Sequence, residues 1–314
     1  MVDSTVEPGA PSAEAANEAV EMTAPPKGVS RPNGVASAAK QMDSAILRLN
    51  KLFASPGGLS AFLSTFNYTL YLLAYLESSH SLAQLAHKLL SLVRSRSAKP
   101  PTVSRASDPT AVPPIAALAG LISRARTTLR LFGLLPLYAW LKTLIAGPKS
   151  GADPVLHRIA LTQCLSYVAY QALENVSVLA DNGIVSKKFI ALINRGDATT
   201  GRLYLWAYRA WLSGVSCDFL RLAREAQLEN RRRANRQQMI DEGKAVAVYA
   251  DEDRKFDSKW WTDFMIAAAW FPMAVHFSSS TGGIPGWNLG WMGLCGLVAG
   301  SSRARGLWRA TLHP

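Results

Sequence analysis

Between Leu121 and Ala146 the chain carries no acidic residue, although it carries three arginines and one lysine among mostly apolar side chains. At 100° per residue, Leu118, Leu121, Ile122, Ala125, Leu129 and Phe132 fall in a sector about 100° wide, the apolar face of an amphipathic helix. Ser123, Arg126, Thr127 and Arg130 fall opposite, and Arg124 sits at the flank, where a long side chain can snorkel. After Gly133 the run LLPLYAWLKTLIA is almost wholly apolar, and Pro136 is expected to kink it. A soluble surface helix mixes charges of both signs. Arginines without acids beside a broad apolar face suit an interface of anionic headgroups and acyl chains. The alternative is a core helix whose arginines find acids elsewhere in the fold. The interfacial reading makes Leu118, Leu121, Ile122, Arg124, Arg126, Leu129, Arg130 and Phe132 the candidate membrane-binding residues of a helix over 115–146.

Composition supports this without deciding it. Of 314 residues, 49% are hydrophobic and 18% charged, against about a quarter charged in average domains. The formal net charge is +12. Such a charge attracts nucleic acid and anionic membrane alike, so position must choose between them. The Ala-, Pro- and Ser-rich tail 1–40 is net −2, which leaves +14 on the remainder. The tail lacks the basic and apolar regions of a secretory signal. Cys164, Cys217 and Cys295 are widely spaced and read as reduced, packed thiols.

The rest of the chain reads as helices. Apolar residues recur at helical spacing from Met42 to Phe53, and Leu59–Leu76 is an uncharged run at the lower limit of spanning length. An amphipathic helix is expected over 80–93, then a Pro-rich basic linker over 94–114. Asp153-Pro154 opens a helix that runs to Asp181, with Ile159, Leu165, Val168 and Val176 in an apolar band. Glu174 and Asp181 on that helix read as structural polar groups. A long helix from Gly201 ends in the basic cluster 231–236, which reads as a solvated face. The charged stretch 251–259 reads as a break before Trp260–Ser278, the best spanning candidate, with aromatics at both ends. Beyond a glycine-rich hinge, Gly286/Gly290 and Gly296/Gly300 offer two GxxxG spacings for close helix association. Arg303, Arg305 and Arg309 follow, as expected of a cytosolic end.

The organisation read from this is a disordered tail over 1–40, a helical membrane-associated region over 41–246, and a C-terminal membrane hairpin with a cytosolic end over 247–314. The fold class is all-α, a membrane-associated helical bundle with amphipathic helices and one or two short C-terminal membrane segments. No Walker A, GxGxxG, HExxH, GxSxG or CxxC motif occurs, and the five histidines are scattered. No catalytic residue, metal site or cofactor is expected, and the chain is not read as an enzyme.

Four stretches carry a family likeness: 126–141 (RTTLRLFGLLPLYAWL), 165–185 (LSYVAYQALENVSVLADNGIV), the Trp/Tyr-rich helix from Leu203, and the glycine-rich segment 286–308. In this order the chain resembles the peroxin-11 family of peroxisomal membrane-elongation proteins, in its divergent fungal form, from residue 42 onward. The resemblance implies a peroxisomal membrane protein with both termini in the cytosol. Its amphipathic helix would bend one leaflet and elongate the organelle before fission, with Arg126 and Arg130 on headgroups. Implied partners are anionic lipids, further copies of the chain through the glycine segment, and the fission machinery. No nucleic acid is expected. A metabolite pore is the alternative within the family, and a soluble helical scaffold or nucleic-acid binder is the alternative outside it.

Overall fold

The computed structural model describes residues 34–78, 113–148, 150–243 and 250–312. Most of the tail 1–40, the helix expected over 80–93 and nearly all of the linker 94–114 lie outside the described residues. The chain divides into two compact units, Met1–Leu47 and Arg48–Pro314. Helix α1 (Gly34–Phe53) crosses that boundary and begins upstream of the tail boundary read at residue 40. In the first unit its residues Met42, Ile46 and Leu47 are exposed.

The second unit is all-α. It contains α2 (Pro56–Ser78), α3 (Pro114–Arg130), a 3₁₀ turn (Leu131–Gly133), α4 (Leu134–Ile145), α5 (Pro154–Asp181), α6 (Lys187–Ile193), α7 (Gly201–Asp241), α8 (Ala250–Ser278) and α9 (Leu289–Ala310). No strand occurs among the described residues. Several ends are fixed by local chemistry. The Asp153 carboxylate accepts from the Val155 and Leu156 N–H groups at the start of α5, and Pro154 needs no partner there. Ser186 caps α6 and Asn288 caps α9 in the same way.

Neighbouring helices close a circuit. Helix α2 packs on α3, α4 on α5, α5 on α7, α7 on α8, α8 on α9, and α9 returns to α2. Two of these seams use glycine. Gly214 of α7 lies against the Tyr167 ring of α5, and the Gln163 amide donates to the Gly214 carbonyl at 3.1 Å. In α9, Gly293 meets the backbone of Tyr68 and Leu72, while Gly290 and Gly296 face the rings of Tyr75 and Tyr68. The glycines therefore bring α9 onto α2 of the same chain. Gly290, Gly293 and Gly296 form the contact, Gly300 is at its edge, and Gly286 lies in the preceding turn with φ +74°.

The charged stretch 251–259 is not a break. It forms the first turns of α8 because its acids sit opposite the basic cluster of α7: Arg233 pairs with Asp257 at 2.8 Å, and Arg236 pairs with Asp253. Trp260 Nε1 donates to the Leu222 carbonyl, which carries the same seam into the apolar half of both helices.

Candidate functional site

The face of α3 that the sequence marks as apolar points away from the protein. Leu118 is 39% exposed, Leu121 55%, Leu129 45% and Phe132 66%. Ile122 is half-buried, and Arg124 is exposed at the flank. The ribbon continues along α4 through the exposed Leu135, Tyr138 and Ile145. By length and composition, two described helical stretches could cross a membrane, Pro56–Ser78 and Pro114–Ile145. In the second, none of the most apolar window is buried, against 28% in the first. Apolar residues are exposed elsewhere too: Leu165 on α5, Trp206 and Leu220 on α7, Trp261 and Met265 on α8, Trp291 and Leu294 on α9. A continuous apolar ribbon of this length marks a lipid or partner surface.

The opposite face of α3 meets neighbouring helices, where Arg126 is half-buried and Arg130, paired inward, keeps its side chain 43% exposed. Ala119 is 1% exposed against α2. Arg126 donates to Ser64 Oγ at 3.1 Å and lies over the Tyr68 ring at 4.9 Å. The Asn67 side chain, in the amide orientation its neighbours require, accepts from Arg126 at 3.0 Å and donates to the Ala119 carbonyl at 2.8 Å. Arg130 pairs with Glu174 of α5 at 3.0 Å, and Tyr170 OH donates to the same carboxylate at 3.1 Å. The second carboxylate oxygen of Glu174 is buried and has no hydrogen-bond partner among the described residues. The reason for this packing is geometric. One side of a helix must meet α2 and α5, and those helices offer Ser64, Asn67 and Glu174, which satisfy guanidinium groups and would leave leucines badly matched.

The polar interior also repairs a break in the helix. The interruption falls at 131–133, as expected of Pro136, which has no N–H to offer the Phe132 carbonyl four residues before it and whose ring crowds that carbonyl. Gln171 donates to the Arg130 carbonyl and Asn175 to the Leu131 carbonyl, each at 2.9 Å. Gly133 makes room for this, because a Cβ there would lie 2.6 Å from the Gln171 side-chain oxygen. Backbone carbonyls freed at a break need such partners wherever water is scarce.

Within the circuit lies a cavity of about 300 Å³. Every packed helix of the circuit except α4 lines it: Asn67 and Tyr68 from α2, Arg126 and Arg130 from α3, Glu174 from α5, Tyr208 from α7, Trp270 from α8 and Met292 from α9. Glu174, which lines it, belongs to a stripe on α5 that was legible in the sequence, Gln163, Gln171, Glu174 and Ser177 at helical spacing, all buried. The reading of α5 by its apolar band missed that stripe.

Other sequence candidates take structural places. Asp181 accepts from Thr200 and Tyr204, away from the Glu174 group. The cluster 231–236 is partly neutralised by Glu229, Asp253 and Asp257. Among the described residues no group of His, Cys, Asp and Glu could hold a metal ion, and Cys164 and Cys217 are buried free thiols.

Described residues that are all helical, with an exposed apolar ribbon along α3 and α4 and a buried polar cluster behind it, suit a protein that works in or on a membrane. The family described as peroxisomal biogenesis factor 11 (PEX11) matches residues 98–301. The chain belongs to that family, and is accordingly a peroxisomal membrane protein involved in peroxisome proliferation. The family is one of biogenesis factors and is not a known enzyme family. No curated protein and no solved structure matches the chain.

Proposed function

We propose that the chain elongates the peroxisomal membrane by pressing the outward ribbon of α3 and α4 into one leaflet. The observation that carries this is the unburied apolar face from Leu118 to Ile145, held rigidly by a polar seam on its other side. Leu121, Leu129 and Phe132 form the wedge, and Arg124, exposed at the flank, meets the headgroups at about 1 kcal/mol on an anionic surface. Arg126 and Arg130 act differently from the headgroup reading, because they lock the wedge to α2 and α5. The exposed arginines Arg303, Arg305 and Arg309 favour a cytosolic C-terminal end, where the fission machinery would be met. Full-length protein added to anionic liposomes is expected to draw them into tubules. Leu129→Asp with Phe132→Asp removes tubulation while helicity is kept, since both side chains are exposed. Undiminished tubulation by that variant refutes the wedge.

A second reading, a passage for small polar metabolites, is favoured by the cavity that the helix circuit encloses around Arg126, Arg130 and Glu174. It predicts single-channel steps in planar bilayers whose ion preference shifts in Glu174→Gln. Silence of the purified protein in such recordings counts against it.

A further inference from the structure

The arginines of α3 line a second, larger space. A groove of about 840 Å³ runs between α2, the α3 end with its 3₁₀ turn, α8 and α9. Its wall is chiefly apolar, with Leu59, Leu63, Leu129, Phe132 and Trp270 facing it. Three arginines also line it, Arg126, Arg130 and Arg303, and no acidic residue does. Of these, Arg130 is balanced by Glu174. Among the described residues Arg126 has only neutral partners, Ser64, Asn67 and the Tyr68 ring. Arg303 makes no ion pair among the described residues. The half-buried Arg126 beside an apolar wall carries a desolvation cost that an anion would offset, and the exposed Arg303 adds a second positive charge to attract it.

We propose that this groove holds an acyl chain of one anionic phospholipid, whose phosphate supplies the counter-charge to Arg126 and Arg303. A guanidinium matches a phosphate with paired N–H donors, and the long apolar wall matches a hydrocarbon chain. Inorganic phosphate satisfies only the arginines, and a neutral lipid only the wall. Leu129 and Phe132 belong both to the groove and to the outward ribbon, so a chain in the surrounding leaflet has direct access. The inference rests on the membrane reading above. It adds a stoichiometric lipid that would fix the wedge against α2 and α9.

The test uses full-length protein reconstituted in vesicles of phosphatidylcholine mixed with phosphatidylserine. The protein is then re-extracted in mild detergent, and retained lipid is counted by native mass spectrometry. One phosphatidylserine per chain is expected. Arg303→Gln, an exposed change that leaves the Asn67 cluster untouched, lowers retention about tenfold, the effect of one lost charge-assisted hydrogen bond. Leu63→Trp, which fills the wall and spares every arginine, lowers it as well. Equal retention of phosphatidylcholine, preferential retention of added oleate, or unchanged retention in both variants overturns the proposal. A chain that tubulates liposomes but retains no lipid selectively refutes the groove and leaves the wedge standing. Release of the protein by alkaline carbonate removes both.

Discussion

Helix α9 contains glycines that should respond to the same substitution with opposite signs. At Gly293 an added Cβ would lie 2.7 Å from the Leu72 backbone nitrogen and 2.8 Å from the Tyr68 carbonyl oxygen. Neither atom can turn aside, because both belong to the α2 backbone. Gly293→Ala must therefore push α2 and α9 apart along their contact. Overpacking of this kind costs about 1–3 kcal/mol, and a backbone obstacle places it at the upper end. Alanine in place of a helical glycine returns about 0.5–1 kcal/mol. The net loss is about 2 kcal/mol, or about 4–8 °C in Tm at about 2–4 °C per kcal/mol. At Gly306, in the same helix, no atom lies within 4 Å of the added carbon. Gly306→Ala then keeps only the helical gain and is expected to raise Tm by about 1–4 °C. Thermal unfolding of both variants in one detergent, followed by tryptophan fluorescence, measures the two shifts side by side. If Gly293→Ala matches or exceeds the wild type, the close α2–α9 contact is wrong, whatever Gly306→Ala does.

Removing one partner of the half-buried Arg130–Glu174 pair should be costly, and a double-mutant cycle measures the coupling. Breaking such a pair costs about 3–5 kcal/mol when fully buried, and less here because the Arg130 side chain is 43% exposed; Arg130→Gln is expected to be worse alone than with Glu174→Gln. Gln171→Leu strips the Arg130 carbonyl of its partner, with an expected loss of about 1 kcal/mol in denaturant unfolding. The Arg224 guanidinium and the N–H groups at the start of α5 hold the Asp153 carboxyl down at about 2. A carboxyl depressed in the folded state stabilises it fully above its unfolded value near 3.9, and that support fades as pH falls toward 2. Acid titration of helicity should therefore show a component between about pH 4 and 2 that Asp153→Asn lacks; identical titrations refute the Arg224 contact.

Much of this protein was legible residue by residue. Periodicity gave the helices, Asp153-Pro154 the start of α5, and the acid-free segment the apolar face of α3. Two features escaped it for one cause. The break assigned to 251–259 is helix, and Arg126 and Arg130 take partners inside the bundle. Each depended on a partner distant in sequence: Arg233 and Arg236 for the first, Asn67 and Glu174 for the second. Spacing within one helix reports which residues share a face, and it carries no term for what another helix brings to that face.

The sequence by itself determined that the chain is all-helical, that α3 has two chemically opposed faces, and that the chain resembles the peroxin-11 family, because these follow from local order and motif sequence. The tertiary structure alone decided which face of α3 looks outward. Packing against α2 and α5 supplies hydrogen bonds and a carboxylate to Arg126 and Arg130, so the polar face meets the neighbouring helices and the leucines are left exposed. It also decided that the α9 glycines meet α2 of the same chain, since only Gly lets the two backbones approach to the observed contact.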